Sequence, residues 1–136
     1  MKSLITMIFG VFVVFYAFAQ EEETTKEGPY ITFQESAFDF GDIEQGDKVE
    51  HIFAFENTGT APLIITQVQT TCGCTAPEWP KQPIPPGESS EIKVIFNSAG
   101  KFGRQNKVIS VISNSVAPVN QVKITTNVLP KKSTEG

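Results

Sequence analysis

A two-sheet, all-β sandwich is the fold predicted for this sequence, and three observations predict it. Between residues 30 and 129 every apolar stretch is short and rich in Val, Ile, Phe and Thr. Each is closed off by Gly, Pro or Asn, with turn signals at intervals of about 8 to 15 residues. None carries the three-to-four-residue apolar spacing of a helix longer than a turn. Composition agrees: 136 residues with 40% hydrophobic, 19% charged and a formal net charge of −4 describe an ordinary globular chain of one domain. No basic run exceeds Lys131-Lys132, so nucleic-acid binding through a phosphate backbone is not expected.

The elements follow in chain order. Residues 1–19 have the form of a secretory signal. Met1-Lys2-Ser3 is a short positive start, Leu4 to Phe18 is apolar apart from Thr6, and Ala17-Phe18-Ala19 is a small-x-small cleavage site. The apolar run is about 15 residues, short of the roughly 20 a spanning helix needs. The mature chain is therefore expected to be soluble, without a membrane span, and periplasmic or secreted. Four of the eleven phenylalanines (Phe9, Phe12, Phe15, Phe18) belong to this segment. Residues 20–29, with Glu21-Glu22-Glu23 and little to bury, read as a flexible acidic leader, and residues 130–136 as a flexible tail.

The folded domain is expected at residues 30–129. Tyr30 to Gln34 and Phe38 to Phe40 read as one interrupted strand. The clearest alternation is Val49, His51, Phe53, Phe55, with Glu50, Ala54 and Glu56 between them. Asn57-Thr58-Gly59 supplies a turn. Leu63 to Thr70 follows, with Leu63 and Ile65 expected on one face and Ile64 and Val68 on the other. Glu91 to Phe96, Lys107 to Ser113 and Gln121 to Val128 complete about seven strands, the pattern of an immunoglobulin-like antiparallel β-sandwich. A small closed barrel is the competing all-β architecture. Phe33, Phe38, Phe40, Phe53, Phe55 and Phe96 are the expected large core residues, and Phe102 lies beside a turn. From Cys74 to Ser89 there is no strand pattern, and Pro77, Pro80, Pro83, Pro85 and Pro86 predict an extended, stiff loop. Pro86 and Gly87 suit the central positions of a type II turn.

Cys72-Gly73-Cys74 is the sharpest chemical feature. An exported chain meets an oxidising compartment. Two alpha carbons two residues apart lie about 7 Å from each other when extended, beyond the roughly 4.4 to 6.8 Å of a disulfide, so bridging requires a bend that the central glycine would tolerate. The pair is a candidate structural disulfide or redox couple, with soft Cu(I) the preferred ion if the two thiolates bind a metal. With His51, the single histidine, they form only a weak metal-ligand set, because a zinc site wants four ligands; a histidine satisfied by hydrogen bonds is the plainer reading. Asp39, Asp42, Glu44 and Asp47 cluster near a turn, but their spacing lacks the EF-hand pattern for calcium. Trp79, Pro80 and Pro83 are candidate partner-binding loop residues, with Trp79 alternatively capping the open end of the sandwich. No Walker loop, G-x-S-x-G elbow or H-E-x-x-H motif is present. No catalytic residue and no cofactor is therefore expected.

Phe38-Asp39-Phe40-Gly41-Asp42-Ile43, Phe55-Glu56-Asn57-Thr58-Gly59 followed by Pro62-Leu63, Thr71-Cys72-Gly73-Cys74-Thr75, Ile84-Pro85-Pro86-Gly87-Glu88 and Ser113-Asn114 occur in that order. The ordered set resembles the exported bacterial "domain of unknown function 1573" family. That resemblance implies an immunoglobulin-like sandwich akin to the domains of major sperm protein, periplasmic pilus chaperones and cilium-associated proteins. It implies no activity, and it assigns no chemistry to Cys72 and Cys74. The expected function is a non-catalytic protein-binding or structural module of the cell envelope, its partner another envelope or secreted protein. The alternative is a thiol redox or copper-binding protein built on the two cysteines.

Overall fold

The computed structural model describes residues 27–132. The signal segment, residues 20–26 of the leader and residues 133–136 of the tail lie outside the described residues. Eight strands form: β1 (Ile31–Phe33), β2 (Ala37–Glu44), β3 (Lys48–Asn57), β4 (Ile65–Thr70), β5 (Thr75–Glu78), β6 (Ser89–Asn97), β7 (Gly103–Ser113) and β8 (Val119–Leu129). They make two four-stranded sheets, ordered β1-β3-β6-β5 and β2-β8-β7-β4. Lettered A, A′, B, C, D, E, F and G in chain order, the sheets read A-B-E-D and A′-G-F-C. This is the immunoglobulin arrangement with one added strand. The two sheets do not join into a barrel.

The alternation in β3 does what its pattern predicts. Phe53 and Phe55 are fully buried and meet Ile92, Val94 and Phe96 of β6, while Ile109, Val111, Val122, Ile124 and Val128 close the core from the opposite sheet. Phe33, Phe38 and Phe40 pack against this cluster but keep part of their surface in solvent. Phe102 is exposed.

Three sequence expectations are corrected. Tyr30 to Gln34 and Phe38 to Phe40 are not one strand but two, in opposite sheets. The Gln34 amide donates to the Ala54 carbonyl in one sheet, and the Lys123 amide donates to the Ser36 carbonyl in the other. Glu35 alone separates these bonds, so the chain changes sheet without a turn motif. β2 consequently runs parallel to β8, whereas the other pairings are antiparallel. Val68 shares the buried face with Ile65 rather than opposing it, because a register shift between Ile65 and Gln67 resets the alternation. Finally, the proline-rich stretch contains β5, with Pro77 opposite Val94. Proline is accommodated because β5 is an edge strand, where a missing outward donor breaks no ladder.

The end of β3 forms a tightly bonded corner. Asn57 is fully buried. Its amide nitrogen donates to the carbonyls of Ala61 and Ile84, at 2.8 Å each. Its side-chain oxygen accepts from the amides of Tyr30 at 3.3 Å and Gly59 at 3.0 Å. Gly59 is required here by space: a Cβ would strike the Gly28 carbonyl and lie 2.6 Å from the Tyr30 nitrogen. Alongside, Pro85 to Glu88 forms the expected type II turn, with Gly87 at φ 81° and the Glu88 amide donating to the Pro85 carbonyl at 3.1 Å.

Candidate functional site

Cys72-Gly73-Cys74 occupies the crossover from β4, an edge of one sheet, to β5, an edge of the other. The chain bends here as bridging requires: the alpha carbons of Cys72 and Cys74 are 5.3 Å apart and their sulfurs are joined. The bend is set by hydrogen bonds. The Thr75 amide donates to the Cys72 carbonyl at 3.3 Å, and the Asn97 amide donates to the Cys74 carbonyl at 2.9 Å. The Thr70 hydroxyl reaches the carbonyls of both Cys72 and Thr75, at 3.0 and 3.2 Å. The glycine is not what permits the bend. Gly73 is outside the left-handed region, and a Cβ there would meet nothing within 4 Å. It leaves the solvent side of the bridge uncovered instead.

Both cysteines are half-buried, and Cys74 packs against the apolar core. The buried Thr75 hydroxyl lies 3.8 Å from the Cys72 sulfur and 3.9 Å from that of Cys74. Thr75 stands in the Thr71-Cys72-Gly73-Cys74-Thr75 motif, but nothing in the sequence assigns a role to it, to Thr70 or to Asn97. The threonines flanking the two cysteines were the available signal, but a threonine in a β-rich chain is ordinary.

The other candidate residues lie in separate surroundings. His51 is stacked on Phe38, with centroids 3.6 Å apart and planes 10° apart, and it meets the edge of Phe53. Its Nε2 pairs with Glu35, the residue at the sheet crossover. The carboxylates near the turn serve local structure: Asp39 accepts from the Gly41 amide, Asp47 from the Glu44 amide, and Asp42 from Asn127. The Gly41 bond, assisted by Arg104 and opposed by desolvation, holds the Asp39 carboxyl below its ordinary value. Among the described residues no three His, Cys, Asp or Glu side chains gather as a metal site. Trp79 packs on the edge of the core, and the Lys81 ammonium stands 3.0 Å over its ring. Trp79 and Pro80, with Glu78, Ser90, Glu91 and Lys93, line an open groove of about 290 Å³. Pro83 is exposed one residue before Ile84, which bridges to Leu63. No helix among the described residues is long and apolar enough to cross a membrane.

With this geometry in view, the chain can be compared with known proteins. The model of a family described as "Protein of unknown function (DUF1573)" matches residues 31–128, which takes in every strand but the last residue of β8. The chain belongs to this family. Membership in the DUF1573 family brings no activity with it. A comparison with curated proteins finds no match.

Solved structures share the fold. A protein of unknown function from Porphyromonas gingivalis W83 is 19% identical, with a TM-score of 0.65, over 80% of this chain and 51% of that one. The chain thus spans about half the length of that relative. The ASH/PapD-like domain of human CEP192 is 11% identical, with a TM-score of 0.63, over 79% and 88% of the two chains. The Escherichia coli chaperone DraB is 13% identical, with a TM-score of 0.50, over 76% and 57%. At these identities the likeness concerns the fold alone.

Proposed function

We propose that this chain is a non-catalytic protein-binding module of the cell envelope, exported to the periplasm or beyond the cell. It takes an extended segment of another envelope or secreted protein along β4. The observation that supports this reading is the contrast among the four sheet edges. β1 is three residues long, and the loop of Ser115 and Val116 covers it: the Ile31 amide donates to the Ser115 hydroxyl and the Val116 amide to the Pro29 carbonyl. β2 carries Asp39 and Asp42 around a register shift. β5 contains Pro77, and its Thr75 amide and carbonyl are already bonded within the Cys72 turn. Short length, bulges, charge and proline are the usual protections of an edge against a foreign strand.

β4 has less protection. It also has a register shift, between Ile65 and Gln67, but it pairs without interruption from Gln67 to Thr70. No charged residue and no proline occur from Leu63 to Thr71. The Val108 amide donates to the Thr71 hydroxyl, so the even residues of β7 face β4. With Ser110 opposite Gln69, this register directs the main-chain groups of Val68 and Thr70 away from β7. Gln67 and Gln69 project into solvent beside them. An extended polypeptide added at such an edge gains main-chain hydrogen bonds without meeting an unpaired charge. The reading assigns no cofactor.

A photo-crosslinking residue placed at Gln69 in the exporting cell tests it. Adducts to an envelope protein are expected from position 69, lost when Gln67→Lys is added and retained in Cys72→Ser/Cys74→Ser. An adduct pattern indifferent to Gln67→Lys would remove β4 as the binding edge.

A further inference from the structure

The bridge at Cys72 and Cys74 adds a covalent bond where the backbone is already held. Four hydrogen bonds from Thr70, Thr75 and Asn97 shape the turn, and none of them involves a sulfur. The loop the bridge closes is a single intervening residue, the case in which cross-linking restricts the unfolded chain least. Holding the fold therefore gives a weak account of it. Access gives a stronger one. The turn stands at the sandwich margin, Gly73 is exposed, and no atom outside residues 72–74 lies within 4 Å of where its Cβ would be. A thiolate can approach the bridge from that side.

We propose that Cys72 and Cys74 form a two-electron thiol–disulfide couple that exchanges with a dithiol of an exported protein. Both cysteines are half-buried, but Cys74 packs against the core, and on that difference Cys72 is assigned as the sulfur attacked. A thiolate of the partner dithiol attacks Cys72 Sγ in line with the bridge. A bond forms between the partner sulfur and Cys72 Sγ, the bond between Cys72 and Cys74 breaks, and its electron pair leaves on Cys74 Sγ. The Thr75 hydroxyl, 3.9 Å from Cys74 Sγ, is placed to donate to the new thiolate. The second thiolate of the partner then attacks its own sulfur in the mixed disulfide and releases Cys72 Sγ. The partner dithiol has become a disulfide, losing two electrons and two protons. Cys72 and Cys74 have gained both electrons and take up two protons through solvent. Because the turn is bonded independently of the bridge, the reduced pair keeps its position and can be oxidised again by a disulfide in the reverse sequence.

This proposal rests on the turn and not on the β4 edge, and its test separates the two. The folded full chain is incubated with dithiothreitol without denaturant, quenched in acid, alkylated and weighed by intact mass, while circular dichroism follows the fold. The expected result is a rise of two alkyl groups with the fold unchanged, and re-formation of the bridge with oxidised dithiothreitol. With a chromogenic aromatic disulfide as probe, Cys74→Ser, which leaves Cys72 free, reacts several-fold faster than Cys72→Ser. Thr75→Val slows opening of the bridge several-fold while the melting temperature stays within a few degrees. A bridge that opens only as the protein unfolds overturns the proposal, as does equal reactivity of the two single-cysteine variants. Neither result bears on strand addition at β4, which is read by crosslinking at position 69.

Discussion

Two corners of the sandwich are built in opposite ways. At the end of β3, Asn57 is fully buried and joins four main-chain groups from Tyr30, Gly59, Ala61 and Ile84 without any covalent link. At the β4–β5 crossover, Cys72 and Cys74 are half-exposed and covalently joined, in a turn that its hydrogen bonds already define. The weaker kind of interaction holds the more critical corner. Removing a buried partner strands the groups it satisfied, whereas opening an exposed local bridge returns its sulfurs to water. The covalent bond is thus expected to be the more dispensable for folding.

That contrast can be tested by size of effect. Asn57→Leu removes four hydrogen bonds to main-chain groups, of which the Ile84 carbonyl keeps its bond from the Leu63 amide, and the expected loss is about 3 to 5 kcal/mol. For a domain of about 100 residues this lowers the melting temperature by at least about 12 °C in a thermal scan. Gly59→Val brings a side chain against the Gly28 carbonyl at the same corner, and a loss of about 2 to 3 kcal/mol is expected in a urea titration. Cys72→Ser/Cys74→Ser should cost no more than about 1.5 kcal/mol, the entropic value for closing so short a loop. A fall as large as that of Asn57→Leu would erase the distinction between the corners.

The smallest effect is electrostatic. The Gly41 amide lowers the carboxyl value of Asp39 in the folded chain from 3.8. The stabilisation is therefore present above pH 3.8 and is lost as the pH falls further through the folded value. Asp39→Asn should be slightly less stable than the parent near neutral pH, and the difference should close in strong acid. Denaturant titrations of the two proteins across that range check the sign.

Much of the architecture is legible before any coordinates. Phe53 and Phe55 alternate with Ala54 and Glu56, and they are the residues that fill the core. Pro86-Gly87 names its own turn because one residue presets φ and the other accepts a positive φ. The places where reading along the chain fails have a common cause. Val68 changes face because of a register shift, which is a relation between two strands. β5 is hidden by Pro77, which argues against a strand until the strand is known to lie at an edge. Asn57 reads as a turn residue, yet its importance comes from Ile84, 27 positions away. The candidate site was equally divided: the cysteines and their spacing stand out in the sequence, while the bonds from Thr70, Thr75 and Asn97 do not.

By itself, the sequence determined the all-β class, the order of most strands and the cysteine pair, because side-chain alternation and turn chemistry are local properties. The tertiary structure alone decided which sheet each strand joins, which strands lie at the sheet edges and what surrounds the disulfide. Those depend on contacts between residues far apart in the chain, where the single residue Glu35 suffices to carry the backbone from one sheet to the other.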